Sequence, residues 1–431
     1  MIERVLFLIY LSCLSLTSAF ALTSTVTIPV FLSIFCVGLF FIGGIIDKNR
    51  SLTIEVDDLV MLLFLLSVYF GFFINQSHFR SNKPINHLVA YSYIVLVNYY
   101  LIKEIYYALQ KKFGAKFVRS TYGAIYLCVL FTCAFGITEF LLKNALGIDI
   151  DSYIPRPAVS EYEPLALKDF IRLRSFVEES GHLAYFLEAL GPIAIYFSSK
   201  KKLLYYPLLV LILVCFILTF STAGWLIASL TYVLLLMWNT NLRKLQSSVS
   251  LNYSVLLKYF LILVAITIVL TLNYGTLRFI SSVLNEIIVL KIAYSSSAED
   301  RTARFLEGIN VLWQSDLLRL TFGNGPAVYD SLGFSRGGTI LLYLTLVLES
   351  GLLGLSFFLL FCGILFYKVL KLKDRRLRFA LMFGLISSLL HFFLISNYWY
   401  PWFWILAIII QVNYRLEHAR KGIESYRVVS S

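Results

Sequence analysis

Long apolar runs recur through nearly the whole chain, and nothing else in the sequence limits its fold so strongly. They lie near 5–23, 26–46, 57–75, 86–107, 119–142, 182–199, 203–221, 223–239, 254–272, 339–370, 378–396 and 399–414. A helix needs about 20 such residues to cross about 30 Å of hydrocarbon, with its backbone polar groups satisfied internally. Across 431 residues, 59% are hydrophobic and only 14% are charged, which an ordinary soluble core does not accommodate. The pattern predicts an all-α polytopic membrane protein with about 12 transmembrane helices.

Basic residues between the runs set the orientation, because Lys and Arg are retained on the cytoplasmic face. With the N-terminus inside, one face receives Lys48 and Arg50, then Lys111, Lys112, Lys116 and Arg119, then Lys200 to Lys202, Arg243 and Lys244, Lys371 to Arg378, and Arg415 to Lys421. Counting helix ends, that face holds 24 basic and 9 acidic residues and the other holds 13 of each. Glu139, Glu188 and Glu349 remain inside the runs, which completes the formal charge of +12. Membrane orientation accounts for the surplus, and no nucleic-acid partner is implied. The resulting layout is 1–142, the first five helices; 143–181, a large external loop; 182–272, four more helices; 273–338, a second external loop with short amphipathic helices; and 339–431, the last three helices and a cytoplasmic tail.

Two runs are irregular. The run at 339–370 exceeds one crossing and is interrupted at Glu349-Ser350-Gly351, so its first turns are expected to project beyond the outer leaflet or fold within it. At the N-terminus, Arg4, an apolar run and Ala19-Phe20-Ala21 resemble a signal peptide with its cleavage site. The next run follows within a few residues, which favours an uncleaved first helix.

Several chemistries find no support. Cysteines 13, 36, 128, 133, 215 and 362 all fall inside predicted helices, which argues against a disulfide framework. Histidines 78, 87, 182, 391 and 418 show no metal-ligand spacing, and no metal or other cofactor is expected. No Walker-type phosphate loop, serine nucleophile elbow or Rossmann fingerprint occurs.

The external loops are unusual in their choice of cation. Residues 143–182 and 273–338 together hold eight Arg against three Lys, whereas the cytoplasmic face holds ten Arg and fourteen Lys. Lys serves topology as well as Arg, so forked guanidinium groups on the other face point to recognition of phosphate or carboxylate. In the first loop, Arg172 and Arg174 precede Glu178-Glu179-Ser180-Gly181-His182. A helix capped by Ser180 would carry His182 and Glu188 into the outer half of the membrane. Glu188 is costly there without a partner or an aqueous cavity. The alternative is that Glu179 only complements the helix dipole while the arginines anchor the loop to head groups.

In the second loop, Phe305, Ile309, Leu312, Trp313 and Leu317 recur at helical spacing, and Arg301, Arg304 and Gly308 share another face. This predicts a helix lying on the membrane surface, with two arginines straddling an anion and Gly308 leaving room for it. Snorkelling arginines on a merely interfacial helix would give the same pattern. The turn Phe322-Gly323-Asn324-Gly325-Pro326 ends this region, and Arg336 precedes the next run. Tyr398-Trp399-Tyr400-Pro401-Trp402 is expected to be an interfacial aromatic belt, with His391 packed nearby between helices.

The pattern Arg174-x-x-x-Glu178-x-Ser180, then Ser221-Thr222-Ala223-Gly224, then Arg301 with Gly323-x-Gly325 some twenty residues on, then Leu-x-x-x-Glu349-x-Gly351-x-x-Gly354, resembles the Wzy-type O-antigen polymerase and O-antigen ligase superfamily. The resemblance covers approximately 170–370. Relatives often have Glu-Pro-Ser where this chain has Glu178-Glu179-Ser180, and ligases have a His-Asn pair where it has Thr339-Ile340-Leu341. The missing histidine favours the polymerase branch, although that branch's strict arginine-to-glycine repeats are not found.

The resemblance implies a metal-independent glycosyltransferase of the bacterial inner membrane, serving O-antigen, lipopolysaccharide or related polysaccharide biosynthesis. It would move a growing glycan from undecaprenyl pyrophosphate onto a sugar hydroxyl of an incoming lipid-linked unit at the periplasmic face. A flippase and a chain-length regulator are the partners implied beside the lipid bilayer. Under this reading Glu178, Arg174, Arg301 and His182 are catalytic, and Arg172, Arg304, Arg336, Glu179 and Glu349 bind substrate. Forked arginines would grip the diphosphate and stabilise its leaving charge, while Glu178, or else His182, would accept the hydroxyl proton. The rivals are a ligase-type transferase, a lipid-linked oligosaccharide flippase or other transporter, and a scaffold subunit. Transporters place polar sites near midplane between repeats, and the sequence shows neither repeats nor a central charge cluster.

Overall fold

The computed structural model of the chain describes residues 1–23, 25–46, 52–157, 166–167, 170–238, 296–334 and 338–429. Its elements in chain order are α1 (Ile2–Ser12), α2 (Ile28–Ile46), α3 (Val56–Asn75), α4 (Lys83–Ser92), α5 (Ile102–Phe113), α6 (Ala115–Ala145), α7 (Ser180–Ser198), α8 (Lys202–Leu218), α9 (Thr222–Trp238), α10 (Ser296–Gln314), α11 (Leu317–Phe322), α12 (Val328–Leu332), α13 (Leu342–Leu370), α14 (Arg375–His391) and α15 (Pro401–Val429). A π-helical stretch, Tyr93–Leu101, joins α4 to α5 without a break. Beyond the helices there is only a two-residue antiparallel pairing, Ala166–Leu167 with Phe170–Ile171, among the described residues.

The apolar patterning yields helices long and apolar enough to cross a membrane at Ile28–Ile45, Val56–His78, Lys83–Phe113, Ala115–Ala145 and Leu342–Leu370. Lys202–Leu218 and Thr222–Trp238 are shorter apolar helices. The chain is therefore all-helical and membrane-associated, with five such spans among the described residues, which do not confirm the expected count of about twelve. The predicted helix at 254–272 lies outside the described residues. The helix α7 matches 182–199 closely, yet carries His182, Glu188 and Pro192. It packs against α6, α8, α9, α14 and α15, so its polar side chains meet protein where lipid would exclude them.

The first run departs most from expectation, because its helix stops at Ser12. Residues 13–22 continue as turns, and their backbone is paired. The Ser18 and Ala19 N–H groups donate to the Phe176 carbonyl at 3.2 and 3.0 Å, Phe20 N–H to Pro155 at 2.9 Å, and Trp402 Nε1 to the Leu14 carbonyl at 2.7 Å. Irregular backbone survives among membrane helices only where protein satisfies it in this way. Phe7, Tyr10, Leu11 and Leu14 are buried in the main core.

The helix α13 lies along α3 and is broken at Gly351, where φ is 71° and ψ is −177°. The break frees carbonyls that the segment after α11 takes up: Asn324 N–H donates to Leu348 at 2.7 Å and Gly325 N–H to Glu349 at 3.1 Å. Asn75 Nδ2, from α3, donates to the Gly323 carbonyl at 3.1 Å. A Cβ at Gly71 would sit 2.6 Å from the Phe322 carbonyl oxygen. Close backbone approach likewise explains Gly323 and Gly351, where a Cβ would overlap the Glu349 and Thr321 carbonyls.

Contacts between distant segments sort to two ends of the bundle. One end joins 18–20 to 155–176, 75–81 to 319–330 and 342 to 392. The other joins Arg4 to Ser120, Thr53 to Glu104, Tyr196 to Asp374 and Lys373 to Glu417. Near this second end Lys103, fully buried, pairs with Asp58, and Lys368 Nζ lies 2.9 Å from Asp57 Oδ2. This charge cluster sits at helix ends, with Asp57 and Asp58 in the first turn of α3 and Lys368 in the last turn of α13, and not midway along the helices. Its members are spread over α3, α5 and α13, so no local window brings them together.

Candidate functional site

The segment 172–179 is fastened to α6 before it reaches α7. Gly136 leaves room for it, since a Cβ there would meet Leu173 Cδ2 at 2.9 Å. Ser175 N–H donates to Glu139 Oε2 at 2.8 Å and Ser175 Oγ to the Thr132 carbonyl at 2.7 Å. Arg156 donates to the Val177 and Ser175 carbonyls at 3.0 and 2.6 Å. Arg174 Nη2 lies 2.6 Å from Asp151 Oδ2, and Lys143 pairs with both Asp151 and Glu139. Burial raises the Asp151 carboxyl, but its bonds to Arg174 and Lys143 outweigh that and hold it below the usual carboxylate range.

Arg174 is thereby committed to the fastening of this loop. Its side chain is 6% exposed and paired with Asp151 and, at 4.0 Å, with Glu139, so it orders the loop. Sequence spacing could not reveal this, because Glu139 and Asp151 lie on α6 and the loop after it.

What the fastened loop delivers is Glu178 and Glu179 at the start of α7. Glu179 takes the cap position and Ser180, the expected cap, is the first helical residue. Tyr400 Oη donates to Glu178 Oε2 at 2.6 Å and lies 3.3 Å from His182 Nδ1. Asn397 Nδ2 lies 2.8 Å from His182 Nε2. One turn deeper and beyond, His391 Nε2 meets Glu188 Oε2 at 3.0 Å, with both side chains 3% exposed. Opposite them Ser221 Oγ accepts the Gly224 N–H at 3.2 Å, and a Cβ at Gly224 would approach Glu188 Oε1 to 3.4 Å. The 178–182 and 221–224 motifs therefore share one seam.

Tyr400 and Asn397 were not foreseen. The 398–402 cluster is no interfacial belt: Tyr398, Tyr400 and Trp402 are buried, and only Trp399 is exposed. An aromatic run ahead of an apolar helix looks the same in sequence whether it meets head groups or a carboxylate.

Two arginines bear on this site. Arg172 Nε donates to the Thr219 carbonyl at 2.9 Å, and its charge acts on Glu179. Arg301, from α10, acts on both Glu179 and His182. Among the described residues Arg301 makes no hydrogen bond or ion pair, and its buried Nε has no partner. Burial pushes the Glu179 carboxyl above its ordinary range, against the pull of Arg172 and Arg301. A buried N–H without an acceptor is unfavourable, and an oxyanion would relieve it.

The remaining predicted residues are placed elsewhere. Arg304 Nε pairs with Asp300 at 2.8 Å and Nη1 donates to the Gly338 carbonyl at 3.2 Å. Gly308 leaves no room for an anion, because a Cβ there would meet Leu344 Cδ2 at 2.8 Å: it is where α10 packs on α13. Ile309 and Leu312 share that packing, while Trp313 and Leu317 are exposed. Glu349 is buried with its oxygens taken by Tyr91 Oη at 2.6 Å and Ala327 N–H at 2.8 Å, so it braces the helix break. Arg336 lies outside the described residues. No protein-family model and no curated protein matches the chain, which leaves Glu178, His182, Tyr400, Arg172 and Arg301, with the motifs around them, as the ground for assigning a function.

Proposed function

We propose that the chain is a polysaccharide polymerase, a glycosyltransferase of the Wzy type that its sequence motifs resemble. It takes a growing glycan from undecaprenyl pyrophosphate and joins it to a sugar hydroxyl of an incoming lipid-linked unit. The observation that carries this reading is that Arg172 and Arg301, far apart in the chain, both act electrostatically on Glu179, whose neighbour Glu178 is held by Tyr400. The guanidinium ends hold the diphosphate and stabilise its leaving charge. Glu178 or His182 receives the hydroxyl proton. A diphosphate is already a good leaving group, so the residues named suffice for the transfer.

The finer topology belongs to the same proposal: about twelve crossings of the bacterial inner membrane, both termini cytoplasmic and the site periplasmic. It is supported by the sorting of contacts, since segments assigned outside by the basic-residue pattern meet one another, as do those assigned inside. A flippase supplying units and a regulator of chain length are the proposed partners.

The test is direct. Purified protein in lipid vesicles is given only lipid-pyrophosphate repeat units, and the products are separated by length. A ladder of longer glycans is expected. No elongation with chemically intact units would defeat the proposal, and a single transfer onto lipid A or protein would indicate a ligase.

A further inference from the structure

We infer that Asn397 and Tyr400 are positioning residues that fix His182 in one tautomer and leave Glu178 as the group that takes the proton. This rests on the reading above. Asn397 Nδ2 can only donate, and it lies 2.8 Å from His182 Nε2. That nitrogen therefore accepts, and the ring proton resides on Nδ1. From Nδ1 the next oxygen is Tyr400 Oη at 3.3 Å, which in turn donates to Glu178 Oε2 at 2.6 Å. Each group accepts from the one before it and donates to the one after. The chain runs Asn397, His182, Tyr400, Glu178 and ends on a carboxylate.

Two consequences follow from that direction. His182 has both nitrogens engaged and is 8% exposed, so it offers a substrate no lone pair. Glu178 is 23% exposed, and its Oε1 takes no hydrogen bond among the described residues. The free oxygen is therefore on Glu178. In the transfer, the acceptor oxygen forms a bond to the anomeric carbon as the bond from that carbon to the diphosphate oxygen breaks. The electron pair stays on the diphosphate, and the hydroxyl proton passes to Glu178 Oε1. Tyr400, by holding Oε2, aims Oε1 and favours the charged carboxylate that must receive the proton.

Tyr400→Phe keeps the ring and removes the donor. Losing a hydrogen bond to a charged group is expected to lower the transfer rate on the acid limb roughly 10- to 100-fold. The acid limb of the pH–rate profile moves to higher pH, with activity recovering as pH rises. A structural defect would not recover in that way. His182→Gln is expected to keep the acid limb, because the imidazole is not the base. Loss of that limb in His182→Gln, or an unmoved limb in Tyr400→Phe, overturns the inference. An independent readout needs no activity: difference infrared titration of the purified protein, with the Glu178 carboxylate band assigned by Glu178→Gln. Its midpoint moves upward in Tyr400→Phe, and an unchanged midpoint overturns the hydrogen-bonded chain. Failure of the wild type to elongate glycans would instead defeat the polymerase reading and leave the infrared result to decide this one.

Discussion

Arg174 and Arg301 carry the same guanidinium but differ in what surrounds it. Arg174 is enclosed with Asp151 and Glu139, whereas Arg301 has no hydrogen-bond or ion-pair partner among the described residues. Breaking a buried pair by removing one partner costs about 3–5 kcal/mol, so Arg174→Met should unfold at markedly lower temperature in detergent. The effect has a pH signature. Asp151 is held below the usual carboxylate range, so the stability it contributes is present above the ordinary carboxylate value of about 4 and is lost as pH falls through its lower folded value. The gap between wild type and Arg174→Met is therefore full at neutral pH and narrows in strong acid. Arg301→Lys keeps the charge and loses the fork, and should melt like wild type while binding a lipid diphosphate about 10-fold more weakly. A lower melting temperature for Arg301→Lys, or none for Arg174→Met, would reverse the two assignments. The arginine excess was readable from composition, but the division of labour was not, because it depends on carboxylates brought in from α6 and the loop that follows it.

The helices illustrate the same divide between local pattern and long-range contact. The runs at 26–46, 57–75, 119–142 and 203–221 appear as α2, α3, α6 and α8 with small shifts at their ends, because a continuous apolar stretch is sufficient cause for a membrane helix. The first run fails past Ser12, since the turns that follow are stabilised by Phe176, Pro155 and Trp402, which no local window contains. The interruption at Glu349-Ser350-Gly351 was legible as a flaw in an apolar run. Its purpose was not, because the partner is the turn at 323–325. Gly351 adopts φ 71° and ψ −177°, a region that essentially only glycine enters. Gly351→Ala should therefore cost about 1–3 kcal/mol in backbone strain, before any cost of displacing the Thr321 carbonyl that the new methyl would overlap. Thermal unfolding of the purified variant measures this, and an unchanged transition would mean that the break is not held as described.

Across the bundle, polar chemistry is divided between two ends with unlike partners. One end carries Glu178 and His182, with Arg172 and Arg301 acting on the residues beside them. The other buries Asp57, Asp58, Lys103 and Lys368 in ion pairs that tie α3, α5 and α13 together. Pairing of this kind suits a rigid frame, because each buried charge has an opposite partner within reach, while at the first end the buried Nε of Arg301 has no hydrogen-bond partner among the described residues. The proposal requires these ends to face opposite sides of a membrane, and the chain is well suited to a labelling test. Its six cysteines are free, and all but Cys13 are buried, so introduced thiols should dominate the signal. Tyr153 is 80% exposed at the first end, and Lys112 is exposed on the last turn of α5 toward the other. With a membrane-impermeant maleimide added to spheroplasts, Tyr153→Cys should label at once and Lys112→Cys only after the membrane is opened. Labelling of both from the same side would place the two ends on one face, and a site built to meet lipid-linked sugars outside the cell membrane would then have no orientation to work in.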